Sequence, residues 1–479
     1  MEAVAELVAL LERFGNRLES WTGDDALPSD PFRGGDVLAK ALGHPPDLVA
    51  RRLDTPQGPA MLLYLEGLVD TVPLLQGVVA PLEAGVAPAH FTLPKVAPVF
   101  TRSQALEALL AGHAVCGSAA GGWWAVDVAK PPQRSVAEPP NATVVHGPHV
   151  GFVEVLAVNL GLLRQYLATP ALRAETLRLG GLSENTVALV HLMGVAPAPV
   201  LRWLRRRLKI LALRGMVDSS RLAQALAGPA WLPLTQYSER PDQVAAALLQ
   251  GRAAILVDHS PSVLLVPARL TDLLSSPGDY YQMPLTGSIT RCARYVGLLI
   301  ATTLPAVFVA AITVNPAFIP LALYLTTVRT RLSIPFPAVV ETLILLGVVD
   351  VVQEAGLIMP GALGQTVTIF GTLILGNAAI QAGIVSAPTL ITVTLAILAQ
   401  YLVPDANLSN VLRVLRYALI PVAAVFGFVG VVTAWMALLA VAVRVQSAQV
   451  AYLAPLSPWR PGGWRDTVVR WPRQTPGRR

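Results

Sequence analysis

Three acidic side chains interrupt an apolar stretch in the C-terminal half of the chain: Glu341, Asp350 and Glu354. Carboxylates inside a membrane-length apolar stretch are costly and usually face a partner or water. On a continuous helix Asp350, Gln353 and Glu354 share one face, because their spacings are three and four. Glu341 lies about half a turn away from that face. Repeated around a symmetric oligomer, the face would form an acidic ring that favours cations.

A position at the membrane edge is an equally good interpretation of two of these acids. In that case water would cap Asp350 and Glu354, and neither side chain would line an ion path. The spacing of the residues is compatible with both interpretations.

Two amides form a second polar feature. Asn377 and Gln381 lie one helical turn apart in a stretch without charged residues. Small residues let helix backbones approach closely, and amides can bond across such a contact. Helix packing is therefore favoured over a polar pore lining. Four small residues surround the amides: Gly376, Ala379, Ala382 and Gly383.

No constellation of residues typical of catalysis or of metal binding is present. His259 and Ser260 lie in a predicted hairpin turn without the strand–turn–helix context of a nucleophile. The glycine-rich stretch Gly117–Gly122 lacks the lysine and the following helix that a phosphate-binding loop needs. Cys116 and Cys292 are far apart in sequence and have no metal-ligand spacing. The sequence therefore predicts a protein that is not an enzyme and holds no cofactor or metal.

The composition indicates a membrane domain. Of 479 residues 53% are hydrophobic and 14% charged, whereas about 25% of the residues of a soluble domain are charged. Because a helix needs about 20 apolar residues to cross a bilayer, we expect about four to six crossings within residues 289–443. Three stretches contain no charged residue: Tyr295–Val328, Ala355–Pro404 and Tyr417–Val443.

The two ends of the chain carry different charge patterns. Residues 444–479 contain seven arginines against the single acid Asp466, directly after an apolar run. This pattern favours a cytoplasmic tail beside anionic lipid headgroups, and it gives the net charge of +6 a membrane explanation rather than a nucleic-acid one. Residues 1–30 are predicted to form an amphipathic helix and a loop. They lack the basic start and apolar run of a signal peptide, so we expect the N-terminal half to stay in the cytoplasm.

The N-terminal half contains two stretches with the same predicted order: strand, helix, helix, strand, hairpin turn, strand. We assign them to two similar α/β subdomains, residues 31–130 and 146–288, joined by a proline-rich linker at 131–145. Duplication would explain the shared order, and chance similarity among short elements is the alternative. The predicted fold is thus an α/β N-terminal region of two similar subdomains followed by an α-helical, multi-pass transmembrane domain.

Several stretches, taken together and in this order, resemble the A-subunit family of spore germination receptors, the GerA type that includes the SpoVAF-like proteins. The similarity extends from about residue 60 to about residue 430. The stretches are Tyr64–Asp70, His146–Arg164, Ser238–Pro261, Asp279–Tyr281, Ile334–Pro360 and Gly376–Pro388.

The resemblance implies a multi-pass protein of the spore inner membrane with a large cytoplasmic region of two similar subdomains. It also implies two partners, a transporter-like B subunit that binds the germinant and a lipoprotein C subunit. A homo-oligomer of A subunits would form or gate an ion path. This chain departs from the family pattern at His146, His149 and Gln353, where the family usually has arginine, so a role that rests on those arginine charges is not carried over to it.

We therefore expect a membrane subunit of a germination receptor that couples germinant sensing to ion release, with an oligomeric ion channel as its mechanism. Two other classes remain open. One is a stand-alone proton-coupled transporter; an inverted repeat and broken helices in matching halves would favour it, and neither is clear in the sequence. The other is a non-conducting membrane scaffold whose α/β half recruits cytoplasmic proteins.

Overall fold

The computed structural model describes residues 26–93, 95–118, 121–130, 148, 150–179, 185–211, 219–227, 231–358, 371, 374, 376–459 and 467–468. The predicted N-terminal helix, the whole linker at 131–145 and half of the basic tail at 444–479 lie outside these residues. The chain divides into two compact units. The α/β unit holds the residues up to 268, except 231–233, together with 446–450, and the helical unit holds the remainder.

The first half of the α/β unit is built on a five-stranded antiparallel sheet with the order β1-β2-β4-β5-β3. Its strands are β1 (Leu48–Thr55), β2 (Gly58–Leu65), β3 (Val96–Val99), β4 (His113–Ser118) and β5 (Gly122–Asp127). Its α-helices are α1 (Pro31–Leu42), α2 (Thr71–Leu74), α3 (Ala80–Glu83) and α4 (Arg102–Leu110). A π-helical turn (Leu75–Val79) joins α2 to α3, and short 3₁₀ turns lie at Glu66–Leu68 and Pro88–His90.

The second half is built on another five-stranded antiparallel sheet with the order β6-β7-β9-β10-β8. Its strands are β6 (Leu172–Leu179), β7 (Asn185–Leu192), β8 (Gln236–Ser238), β9 (Ala253–Val257) and β10 (Val263–Val266). Its helices are α5 (Leu156–Tyr166), α6 (Ala198–Leu211), α7 (Ser219–Ala227) and α8 (Pro241–Leu249).

The two sheets have the same strand order when each strand is matched to the one five places later. Both sheets are also covered on both faces. In the second half Leu160 of α5 and Val244 of α8 belong to the core on one face, while Leu204 of α6 and Leu222 of α7 belong to the core on the other. The first half has the same arrangement, with α1 and α4 on one face and the segment containing α2 and α3 on the other. Each half is therefore a three-layer α/β/α subdomain.

The two subdomains contact each other through a close backbone approach and a buried ion pair. A Cβ added to Gly161 of α5 would lie 2.4 Å from the carbonyl oxygen of Gly67, so only glycine fits there. Beside this contact Arg164 donates from Nη2 to Oδ1 of Asp47 over 2.9 Å and from Nε to Oδ2 over 2.5 Å. Both side chains are 1% exposed. The ion pair fixes the register in which the two subdomains meet.

The helical unit begins with two short helices, α9 (Leu270–Leu273) and α10 (Gly278–Tyr281). The longer helices are α11 (Pro284–Thr313), α12 (Leu321–Arg331), α13 (Ala338–Ile358), α14 (Ala387–Gln400) and α15 (Ala406–Arg444). A 3₁₀ turn lies at Pro316–Phe318, residues 376–381 are also helical, and two short paired strands, β11 (Gln446–Ser447) and β12 (Val450–Ala451), follow α15. Within the described residues α11 and α15 are long and apolar enough to cross a membrane. The count of about four to six crossings stays a prediction.

Removing the charge of Asp47 is expected to destabilise the α/β unit. Asp47→Asn leaves Arg164 buried without a counter-charge, which costs about 3–5 kcal/mol in the free energy of unfolding. Urea unfolding of the full chain in detergent, followed by tryptophan fluorescence, measures the change. The control is Asp30→Asn, since Asp30 is a half-exposed side chain 3.7 Å from Arg33, and it should cost less than about 0.5 kcal/mol.

The double variant Asp47→Leu, Arg164→Met removes both buried charges together. It should recover most of the stability lost in Asp47→Asn, because no uncompensated charge remains. A double variant as unstable as Asp47→Asn would mean that shape, and not charge pairing, determines this contact.

Candidate functional site

The central polar feature of the helical unit is the Asp350 cluster, formed by Asp350 and Gln353 of α13 with Arg413, Arg416 and Tyr417 of α15. The Tyr417 hydroxyl donates to Oδ2 of Asp350 over 2.7 Å. Nε of Arg413 and a terminal nitrogen of Arg416 lie 3.7 and 3.8 Å from Oδ1. On α13 Gln353 follows Asp350 by three residues, and on α15 Arg416 and Tyr417 follow Arg413 by three and four, which places each set on one side of its helix. The cluster therefore joins the two helices at one level.

The Asp350 cluster carries more positive than negative charge. Two guanidinium groups face the single carboxylate of Asp350, whose side chain is 16% exposed, and Arg416 is fully buried. The distances from both arginines to Asp350 exceed those of ordinary hydrogen bonds, so charge attraction holds them. Breaking a buried pair of this kind leaves uncompensated charge and is strongly unfavourable. The contact between α13 and α15 is thus ionic at its centre.

Only part of the predicted face of Asp350, Gln353 and Glu354 contacts another helix. Oε1 of Gln353 accepts a 3.4 Å hydrogen bond from Arg413, the same residue that lies beside Asp350. Glu354, one residue further, is exposed. The structure therefore brings two of these three side chains against α15 and leaves Glu354 on the outer surface.

Glu341 lies in a separate cluster and is fully buried. Its Oε2 is 3.3 Å from Arg331 at the end of α12. Its Oε1 accepts a 2.6 Å hydrogen bond from the backbone N–H of Ser386, the residue that precedes α14. A carboxylate at a helix N-terminus is favoured by the helix dipole. Glu341 therefore connects three helices, and its charge is compensated where it lies.

The two predicted amides lie on the surface of the described helical unit, since Asn377 and Gln381 are both exposed. Gly376 beside them is buried, and a Cβ there would be 3.4 Å from Leu390 of α14. Of the small residues around the amides, Gly376 packs against α14. Neither amide joins the Asp350 cluster.

Helix α15 is interrupted at Gly427, within the charge-free stretch Tyr417–Val443. Gly427 has φ 60° and ψ −148°, a conformation almost restricted to glycine. Oδ1 of Asn315 accepts a 3.0 Å hydrogen bond from the backbone N–H of Phe428. The Phe318 ring packs edge-on against that of Phe428, with centroids 5.1 Å apart. The break is therefore stabilised by residues that directly follow α11.

The arginines that pair with Glu341 and Asp350 were not identified from the sequence. These are Arg331, Arg413 and Arg416. Arg413 and Arg416 precede the charge-free stretch Tyr417–Val443, where basic residues commonly flank a membrane segment. Their spacing of three gave a weak signal that both lie on one helix face. Which acid they would meet depends on the contact between α13 and α15, and no local pattern encodes it.

Comparisons with known proteins give consistent matches. Residues 36–479 match the family model described as the Bacillus/Clostridium GerA spore germination protein. Spore germination protein B1 of Bacillus subtilis is 30% identical over 462 residues, which cover 93% of this chain and 95% of that protein. Spore germination protein A1 of the same organism is 32% identical over 378 residues, 78% of each chain. The N-terminal domain of the A subunit of the Bacillus megaterium germinant receptor GerK3 aligns with 51% of this chain and 97% of its own, at 21% identity and a TM-score of 0.39.

The break in α15 gives a test of the helical unit. Gly427→Ala would place a Cβ 2.1 Å from Oδ1 of Asn315 and force an unfavourable backbone conformation. We expect a loss of at least about 2 kcal/mol in stability, measured as a lower melting temperature of the detergent-solubilised chain. The matched control is Gly347→Ala in α13, where a Cβ meets no atom within 4 Å. It should be neutral or stabilising by up to about 1 kcal/mol. Equal melting temperatures in the two variants would contradict the assigned break.

Proposed function

Since this chain belongs to the GerA family of spore germination proteins, we propose that it is the membrane subunit that converts germinant sensing into ion release. In this proposal several copies assemble into an ion channel in the spore inner membrane, with the α/β unit in the cytoplasm. The partners are a transporter-like B subunit, which binds the germinant, and a lipoprotein C subunit.

The observation that carries the proposal is the Asp350 cluster. Its carboxylate belongs to α13, whereas the arginines that compensate it belong to α15. Movement of α15 away from α13 would therefore remove positive charge and leave Asp350 on a helix whose next turn carries the exposed Glu354. Carboxylates repeated around a symmetric assembly attract cations. The described contact would then be the closed state, and its separation the open one.

The energetics of this contact favour a closed resting state. Separating a buried ion pair costs about 3–5 kcal/mol. A stimulus opens such a two-state element only by binding the open state more tightly than the closed one. Shifting the ratio from 1:99 to 99:1 needs a difference of about 5.5 kcal/mol. A receptor complex with several subunits can supply that difference through its combined contacts.

The double variant Asp350→Asn, Glu354→Gln tests the ion path. Single-channel recordings of the chain reconstituted with its B and C subunits should give a smaller cation current per open channel, because both carboxylates are neutral. The open time should increase, because Asp350 no longer pairs with Arg413 and Arg416. Glu107→Gln, an exposed acid of α4, is the control and should change neither quantity.

An unchanged current per open channel in that double variant would contradict the proposed ion path. Proton uptake coupled to solute movement, without single-channel currents, would instead support the transporter alternative. Membranes without either activity would support the scaffold.

Coupling between the two units is supported by residues 446–450, which directly follow α15 and belong to the α/β unit. The buried Ser447 hydroxyl donates to the carbonyl of Leu234 over 2.7 Å and accepts from the backbone N–H of Ala268 over 3.0 Å. Ala448 belongs to the core of the second sheet. Ala268 is also the last α/β residue before the chain enters the helical unit. The chain therefore leaves the second subdomain and returns to it at one place.

Ser447→Ala tests this connection, because it removes the acceptor of the Ala268 amide and one donor. Hydrogen exchange of the Ala268 amide in the full chain should become about tenfold faster, equivalent to about 1.4 kcal/mol. Ser275→Ala is the control, since that hydroxyl donates only to the nearby Asp272 carbonyl over 2.8 Å. Unchanged exchange at Ala268 would show that Ser447 does not hold the two crossing points together.

A further inference from the structure

Helix α6 of the second subdomain combines a buried apolar stripe with a strongly basic outer face. Leu201, Leu204 and Leu208 are buried in the core of the second sheet. The helix contains five basic residues and no acidic one. Three of the basic residues, Arg202, Arg206 and Lys209, are exposed. Their spacing of four and three places them in one row along the solvent side.

The remaining two basic residues are held by the protein itself. Arg205 forms a two-pronged pair with Glu175 of β6, and this hydrogen bonding lowers the pKa of the Glu175 carboxyl below its ordinary value. Arg207 donates to the carbonyl of Ala225 in α7 over 2.9 Å. Because Glu175 is paired with Arg205, its negative charge does not neutralise the exposed row of Arg202, Arg206 and Lys209.

The outer row has the chemistry of a phosphate-binding surface. Within the part of the chain that the structure describes, no ion pair joins Arg202, Arg206 or Lys209 to a carboxylate. Guanidinium groups match phosphate oxygens in pairs, and a lysine adds a point charge. Ile210 next to the row is 50% exposed, and together with Arg206 and Lys209 it lines a shallow groove. An apolar side chain among cations is typical of surfaces that contact lipid headgroups.

We propose that the row Arg202, Arg206 and Lys209 of α6 binds the anionic phospholipid headgroups of a bilayer. Juxtamembrane basic side chains attract an anionic lipid surface, each strengthening binding roughly fivefold. The same chain carries α11 and α15, which are long and apolar enough to cross a membrane. A surface tethered to the membrane meets lipid headgroups at high effective concentration, which strengthens the binding that three cations provide. This binding is independent of ion conduction and of any role of Asp350.

A fluorescent label at position 210 tests the proposal in the full chain. Ile210→Cys is labelled in a Cys292→Ser background, because Cys292 is exposed whereas Cys116 is buried. The protein is reconstituted in vesicles that contain a lipid with a nitroxide quencher on its headgroup, with and without phosphatidylglycerol. We expect quenching at least about twofold stronger in phosphatidylglycerol vesicles. It should weaken between about 0.1 M and about 1 M KCl, as the screening length falls from about 10 Å to about 3 Å.

Two variants of equal net charge separate this face from general electrostatics. Arg202→Gln, Arg206→Gln, Lys209→Gln should abolish the additional quenching, whereas Arg33→Gln, Lys95→Gln, Lys130→Gln, which changes exposed residues of the first subdomain, should retain it. Equal quenching in neutral and anionic vesicles would overturn the proposal. The ligand of the row would then be an acidic protein segment instead of lipid. Loss of quenching by phosphate, but not by KCl of the same ionic strength, would indicate a free-anion site and would also overturn it.

Discussion

The helical unit depends on the rule that a charge among apolar helices must be compensated where it lies. Asp350 lies beside Arg413 and Arg416, and Glu341 beside Arg331. In both pairs acid and base come from different helices. Because a buried charge without its partner is so unfavourable, these pairs determine which helices are neighbours. The apolar surfaces of the helices alone would permit many other arrangements.

The same rule gives the Asp350 cluster its functional interest. Glu341 is held more closely, since Arg331 lies 3.3 Å from its Oε2 and a backbone N–H donates to its Oε1 over 2.6 Å. Asp350 instead faces two arginines at distances beyond direct hydrogen bonding, and the Arg416 guanidinium nitrogens are buried. A contact that is strongly attractive but imperfectly bonded is a suitable element for two alternative states. Glu341 has the features of a fixed anchor, whereas the proposed mechanism separates Arg413 and Arg416 of α15 from Asp350.

Much of the fold could be predicted from the sequence, because local patterns encode it. The hairpins of the two sheets and the apolar helices follow from alternation, glycine turns and charge-free stretches. Edge strands were not predicted. Three of the eight residues of β1 (LVARRLDT) are charged, and β8 has only three residues. The pairs Asp350–Arg416 and Asp47–Arg164 could not be predicted, because each joins residues far apart in sequence. The acids were visible as unusual residues, but their partners depend on tertiary packing.

The central claim is that the chain conducts cations past the carboxylates of α13 when α15 moves away. The reversal potential of the wild-type chain, reconstituted with the proposed B and C subunits under a KCl gradient, tests this claim most directly. A path lined by Asp350 and Glu354 predicts a reversal potential close to the potassium equilibrium potential. A reversal potential close to that of chloride would assign the path to Arg413 and Arg416 instead, and would contradict the account.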